Sequence, residues 1–585
     1  MLRRTFLRAV ALALAALGLL TGCDLLGRNT PAPTVTAIVG NSTPVAGGEA
    51  GAPTTALVSA AATPTARVPQ GGDLTIRVAA PLERLTPWDI RSRGEEHATQ
   101  LLFNGLMRLD ERLQPQTDLA ETLEIAPSND VLTFTVRSGL RWHDNKPLTS
   151  DDVVWTLNTL RTLTPTNALL YDLRTVIGEV RSPITGTVVL SLTQAYAPML
   201  AALAVPVLPR HLLQTRSTEQ LTALDFLQVA GSGPFRFGSR DETSLTLLRN
   251  DGYLRGRPNL ERVILREQDD AGAQAALADG TLLVAEFPTA TTGLTLTGRL
   301  QAGRYAENGS YWLAFNVRAG RIFSDTVVRQ ALAQAVDLPA VIRQATGTRG
   351  VPLLTSLPPG VWSDPNTQPA AANVEQARQL LEGAGWTLPT DKTVRERNGV
   401  VLQTELFVRG DDARRVAVAQ AIAAAAAEIG IALTVAPIEF DPTLIEKLAP
   451  PYEFDLLLGS WVNAPNTANF PTNRFYDPDD SALFGSDRIY SGDGDTRTGL
   501  RNIGGYRNEA YDAAARQARS IFDPQARLEA IRAAQEIVAT ERPYLFLWSD
   551  AIPVVVSTQL RRAGGAFELS NAQYLNDVET WYLMP

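Results

Sequence analysis

Cysteine is all but missing from this sequence: 585 residues contain one, Cys23. Disulfides within the chain are thereby excluded, and so is thiol chemistry anywhere beyond residue 23. Stability has to come from a large buried core, for which a chain of this length has room, as two or more domains. Histidine is scarce too. His97, His143 and His211 are the whole set, and none stands in HExxH or at another two-histidine metal spacing. A GxSxG nucleophile elbow and a phosphate loop are both lacking. The net charge is -9 and no basic run carries interleaved aromatics, which argues against a nucleic-acid partner. Long hydrophobic runs are missing as well. The nearest, Val416 to Ile438, is interrupted by Gln420 and Glu428. Val416, Ile422 and Ile429, with Ala419, Ala423 and Ala426 between them, have the spacing of a core helix with one packed face.

What is present begins at the N-terminus. Arg3, Arg4 and Arg8 precede the run Ala9 to Leu20, which holds only Ala, Val, Leu and Gly. That is the length of a signal-peptide core and too short for a membrane span. Leu20-Thr21-Gly22-Cys23 resembles a bacterial lipobox, in which the signal (1–22) is cut before the cysteine and the thiol takes a lipid. The alternative is an ordinary signal with an incidental cysteine. The paired arginines fit either the general or the twin-arginine export route. From Arg28 to Gln70 the chain is mostly Ala, Thr, Pro, Gly and Val, and only Arg28, Glu49 and Arg67 are charged. Residues 23–70 are therefore expected to form a disordered tether, its coil spanning about 35 Å root-mean-square.

Order is expected from Gly71. Leu74, Ile76 and Val78 alternate with polar residues at strand period, as do Leu132, Phe134 and Val136, and Val188, Leu190 and Leu192. Helices lie between them. Thr149 is placed to cap one above Asp151 and Asp152, and Asp523-Pro524 to start another. The pairs Asp151-Asp152, Asp269-Asp270 and Asp411-Asp412 each precede an apolar helical run, so helix starts explain them better than acid–base catalysis. The mixture indicates an α/β body. Gly231-Ser232-Gly233-Pro234 reads as a tight turn. Ser491 to Asp495 is rich in Asp and Gly, but the twelfth position from Asp493 is Gly504, so an EF-hand is excluded and a surface loop expected. No metal site is expected. Trp461, Asn463 and Asn466 follow the apolar run Phe454 to Leu458. A large aromatic beside short amides after a buried strand suits a ligand cleft; Trp461 equally suits a core tryptophan with a bonded indole N–H.

Several runs together resemble the extracytoplasmic solute-binding proteins of peptide-type ABC transporters, the family 5 group of dipeptide, oligopeptide and nickel binders. The clearest is Phe134 to Val153, with Trp142-His143-Asp144 between a strand and a helix. Leu102 to Leu106, Leu119 to Glu121, Gly231 to Phe235, Phe315-Asn316, Asp325 to Asp337 and Gly504 to Gln535 continue the resemblance in order to the C-terminal region.

The resemblance implies a periplasmic-binding-protein type α/β fold of the large class, with an extra subdomain in the first of two lobes. Two hinge crossings would join the lobes: 71–311 as lobe I, 312–548 as lobe II, and 549–585 returning to lobe I. It implies binding rather than catalysis, with no cofactor. The partners would be a small-molecule or peptide ligand, ABC permease subunits and, through Cys23, a membrane; the protein would be a monomer. Trp142 and Asp144 would fix a turn. Trp461 matches a cleft tryptophan of the peptide binders, but the aspartate that pairs with the peptide amino terminus three positions on is Ala464 here. An arginine that some relatives place three positions before is Leu458. Leu82, after the first strand, and Trp155, where relatives carry an aromatic, would also face the cleft or else belong to the core. Two other functional classes stand beside transport: a sensor or scaffold on the same fold, and an extracytoplasmic hydrolase. The hydrolase would need two acids converging on the cleft, and the sequence shows no such pair.

Overall fold

The computed structural model describes residues 56–58, 68–79, 82–110, 113–164, 168–287, 298–307, 309–347, 349–357, 362, 371–439, 443–461, 481–490, 502–565, 567, 569 and 573–584. The signal, Cys23, Asn463, Asn466 and the loop from Ser491 to Asp495 lie outside the described residues.

From the stretch read as a tether, three residues form a strand, β1 (Ala56–Val58). The body starts with β2 (Asp73–Val78) and α1 (Arg93–Leu102). Next come β3 (Ala120–Ile125), β4 (Val131–Val136), α2 (Ser150–Leu160), β5 (Ile177–Arg181) and β6 (Thr187–Leu192). An antiparallel sheet in the order β1-β3-β4-β6-β5 makes the subdomain of the first lobe. The chain returns through β7 (Phe235–Arg240), β8 (Ser244–Arg249), β9 (Arg262–Glu267), α3 (Asp270–Asp279), β10 (Val284–Glu286) and β11 (Leu300–Ala306). The second lobe contributes β12 (Ser310–Phe315), β13 (Gln403–Arg409), α4 (Ala413–Glu428), β14 (Ala432–Ile438) and β15 (Leu456–Trp461). After α5 (Glu509–Ser520) and α6 (Pro524–Glu541) comes the 14-residue strand β16 (Tyr544–Ser557).

One sheet runs through both lobes in the order β14-β13-β15-β12-β16-β10-β2-β9-β8-β7. β16 is its pivot. Tyr544 to Trp548 pair with β12, and Ala551 to Ser557 pair with β11. The cores divide at the same places. Tyr305 and Ile552 belong to the first lobe's core, whereas Tyr311 and Trp548 belong to the second's. The backbone therefore passes between cores twice, at residues 306–310 and 549–551.

Local chemistry explains most of these elements. Asp523, Asp412 and Asp269 cap their helices, accepting from Ala526, Arg414 and Gly272 N–H respectively. Asp152 closes the start of α2 by accepting from Thr149 N–H at 2.9 Å. Two expectations are revised. In β2 the polar residues Thr75 and Arg77 are as buried as their apolar neighbours, because the strand lies between parallel partners β9 and β10. The Arg77 guanidinium is satisfied by Asp270 at 2.6 Å and the Glu286 carbonyl at 2.6 Å. The run Val416 to Ile438 is not one helix: α4 stops at Glu428, Gly430 turns with φ +80°, and β14 follows.

The turn at Trp142-His143-Asp144 is structural. Trp142 is buried, and Asp144 binds His211 at 2.7 Å. His143 ties this turn to Gly231-Ser232-Gly233. Its Nδ1 accepts from Gly231 N–H at 3.2 Å, and its Nε2 lies 3.0 Å from the Gly233 carbonyl. Both glycines are required by close approach: a Cβ at Gly231 would sit 1.9 Å from the Leu102 carbonyl oxygen, and one at Gly233 2.3 Å from that of Leu101. Burial lowers the His143 imidazole to about 4. The unfolded chain then takes up a proton before the folded one. The stability held by this group is complete above about pH 6.5 and is lost as pH falls towards 4, on the order of 2–3 kcal/mol. Comparing urea unfolding of the parent and His143→Gln across this range checks it; parallel curves for the two would rule it out.

Candidate functional site

In an open α/β sheet, the crevice for a ligand lies outside the carboxyl ends of the strands, where neighbouring connections leave in opposite directions. The second lobe has one such point. β13 is parallel to both β14 and β15. From β13 the chain goes through α4 to β14 on one side; from β15 it goes through α5 and α6 to β16 on the other. These strand ends are formed by Arg409, leading into Asp411 and Asp412, and by Ser460-Trp461. Trp461 ends β15 opposite Ser310, the first residue after the crossing. The site therefore opens beside the two crossing segments.

A polar cluster is built there. Arg414, in the first turn of α4, donates to both oxygens of Asp550, at 2.9 and 3.2 Å, and to the Tyr311 hydroxyl. Tyr311 and the Trp548 indole N–H each donate to Asp550 at 3.1 Å. The two rings stack, with centroids 4.3 Å apart and planes 10° from parallel. The Arg414 and Arg415 guanidinium carbons lie 4.9 and 5.1 Å from the Tyr311 ring centre. Burial and the Asp550 charge push the Tyr311 phenol up to about 12. Arg415 spans the crevice, reaching Ser460 Oγ at 2.8 Å while paired with Asp412 at 2.9 Å. On the other face of β12, Trp312 covers Gly459, where a Cβ would lie 2.4 Å from the indole.

The first lobe meets the crossing with a buried acidic set. Arg93, at the start of α1, pairs with Glu96, with Glu286 at 3.4 Å and with Glu307 at 3.0 Å. Tyr305 donates to Glu286 at 3.1 Å, and His97 Nε2 lies 3.5 Å from it. Burial alone would lift the Glu286 carboxyl, but the Arg93 guanidinium overrides it and holds it at about 2. Burial pushes the Glu307 carboxyl up despite the same arginine.

Of the residues singled out in the sequence, Leu82 is buried in the first lobe's core beside Val78 and Gly94. Trp155 is partly buried against the same core from α2. Among the described residues, no hydrogen bond or ring contact joins either to the Tyr311–Trp548 cluster. Trp461 ends β15, its backbone paired with Ser310. The sequence reading marked Tyr311 and Trp548 only as boundaries and overlooked Arg93, Glu307, Arg414 and Asp550. One signal was available: Asp550 is the lone charge in the apolar run Tyr544 to Val556. No group of three or more potential metal ligands is found among the described residues, and no described helix is long and apolar enough to cross a membrane.

Residues 114–482, more than half of the chain, match the model for bacterial extracellular solute-binding proteins, family 5. The chain belongs to this family, whose members serve peptide and nickel ABC transporters. The oligopeptide-binding protein AppA of Bacillus subtilis is 24% identical over 529 residues, 88% of this chain and 92% of AppA. The structure of AppA in complex with a nonapeptide superposes with a TM-score of 0.61 at 23% identity, covering 89% of this chain and 100% of AppA. NikZ of Campylobacter jejuni, in complex with Ni(L-His), gives 0.64 at 21% identity, covering 87% of this chain and 99% of NikZ. These likenesses establish the two-lobed α/β fold.

Arg93 is the single guanidinium among three buried carboxylates. Arg93→Met is expected to destabilise the protein by about 3–5 kcal/mol in urea unfolding, since it strands buried charge. A change below 1 kcal/mol, roughly that of an exposed pair, would contradict the arrangement.

Proposed function

We propose that this chain is a lipid-anchored capture protein that takes a solute between its two lobes and hands it to an ABC permease. The observation that carries the reading is the divergence of the connections that leave β13 and β15, at strand ends beside both crossing segments. Family membership supports transport as the setting. The first lobe is assigned 71–311 with the return 549–585, and the second 312–548; the division of the cores supports these bounds except at Tyr311, which packs in the second lobe's core. Trp461, Asn463 and Asn466 are assigned to the second lobe's side of the ligand and Trp155 to the first lobe's side, while Leu82, buried in the first lobe's core, is assigned to that core.

AppA is an oligopeptide binder and NikZ was captured with Ni(L-His), so relatives span two ligand chemistries. Here Ala464 and Leu458 stand where the peptide binders carry their aspartate and some carry an arginine. A buried ammonium without its carboxylate is unfavourable by several kcal/mol. The ligand is therefore assigned to solutes that need no such clamp, whether peptide-like, saccharide, opine or chelate.

A thermal-shift screen over peptides, oligosaccharides, opines and metal chelates tests capture. Closure on a ligand at a hundred times its Kd adds about 2.7 kcal/mol. No shift across the library, with folded protein, would defeat the proposal. With a ligand from that screen, Trp461→Ala is expected to weaken binding by about tenfold or more at unchanged melting temperature; unchanged affinity would return Trp461 to the core. Anchoring is tested separately. In cells fed a labelled fatty acid, the parent is expected to carry label in the membrane fraction and Cys23→Ser to carry none; equal labelling would exclude Cys23 as the anchor.

A further inference from the structure

The two crossing segments carry one carboxylate each, Glu307 buried and Asp550 partly buried, and these are drawn to opposite lobes. Glu307, between β11 and β12, is gripped by Arg93 Nη2 at 3.0 and 3.1 Å, from α1 of the first lobe. Asp550, inside β16, is gripped by Arg414 from α4 of the second lobe. Its oxygens also receive Tyr311 and Trp548, both in the second lobe's core. The segments are bonded to each other where the pulls diverge. Glu307 N–H donates to the Asp550 carbonyl at 2.7 Å, and Ser549 Oγ donates to the Glu307 carbonyl at 2.5 Å.

We propose that these two opposed ion pairs set the resting angle between the lobes, with Arg414 a positioning residue for ligand capture that need not touch the ligand. The inference rests on the two-lobed capture reading and adds what regulates it. A lobe that rotates carries its own carboxylate with it, because parting a forked, charge-assisted pair is costlier than twisting backbone. The twist is then confined to the short stretch between Glu307 and Asp550. The grip on Asp550 fixes how β16 leaves the second lobe, and hence the angle from which closure starts. Any change in that starting population changes apparent affinity by the same factor.

The test needs no ligand. In the full mature chain with Cys23→Ser, Ile184→Cys and Leu388→Cys place two nitroxide labels, one per lobe, at positions 68% and 47% exposed. Pulsed electron resonance then reads the interlobe distance distribution. Arg414→Gln is expected to shift the ratio of lobe arrangements about tenfold, equivalent to about 1.4 kcal/mol. Arg414→Lys, which keeps the charge but loses the fork, is expected to move it the same way by less. Asp550→Asn serves if Arg414→Gln does not fold. Parent-like distributions in the Arg414 and Asp550 variants, with only a lower melting temperature, would overturn the proposal and leave the pair a simple stabiliser. Failure here would not touch solute capture, which the ligand screen decides on its own.

Discussion

Both lobes depend on one strand. β16 gives its first half to the second lobe's sheet and its second half to the first lobe's, so a single hydrogen-bonded ribbon has to satisfy two cores. A strand in this position is confined to apolar residues on both faces, and Tyr544 to Val556 nearly obeys. The exception is Asp550. A carboxylate there is tolerable only with full hydrogen bonding and a partner charge, and Arg414, Tyr311 and Trp548 supply both. The chemistry of the crossing follows from that one ionised side chain in an otherwise apolar ribbon.

The crevice inherits its position from the same constraint. The helical connections of the second lobe leave β13 and β15 in opposite directions because β15 must hand the chain on to β16. The carboxyl ends of both strands are thereby brought against the crossing, where a change in interlobe angle has its largest effect on whatever lies between them. Family 5 relatives with peptide and nickel ligands share this architecture, which implies that the framework is separable from the side chains that choose the solute.

Local features were legible in the sequence and non-local ones were not. Helix starts at Thr149, Asp412 and Asp523 were readable because a cap is chosen by the next three residues. The alternation of Leu74, Ile76 and Val78 marked a strand, but it hid the burial of Arg77, whose partner Asp270 is 193 positions away. Val416 to Ile438 was misread as one helix because alanine-rich periodicity continued past Gly430, where the backbone reverses. The family landmarks proved to be framework: His143 fastens two turns, and Asn316 is fully buried with its amide on the Phe454 carbonyl at 2.8 Å. Trp461, expected on the loop after the run Phe454 to Leu458, is instead the last residue of that strand. The Tyr311–Trp548–Asp550–Arg414 cluster was out of reach, since it joins residues as much as 239 positions apart.

The shared strand also dictates an order of assembly. Residues 311–458 wait for Leu545 to Trp548 to finish their core, and residues 74–305 wait for Ile552 to Trp581. Neither lobe reaches its final packing before residues 545–581 are in place. Until then β10, β11 and β12 present open edges, the kind of surface on which chaperones act and aggregation begins. Rigidity in both lobes thus hangs on the same strand, Tyr544 to Ser557.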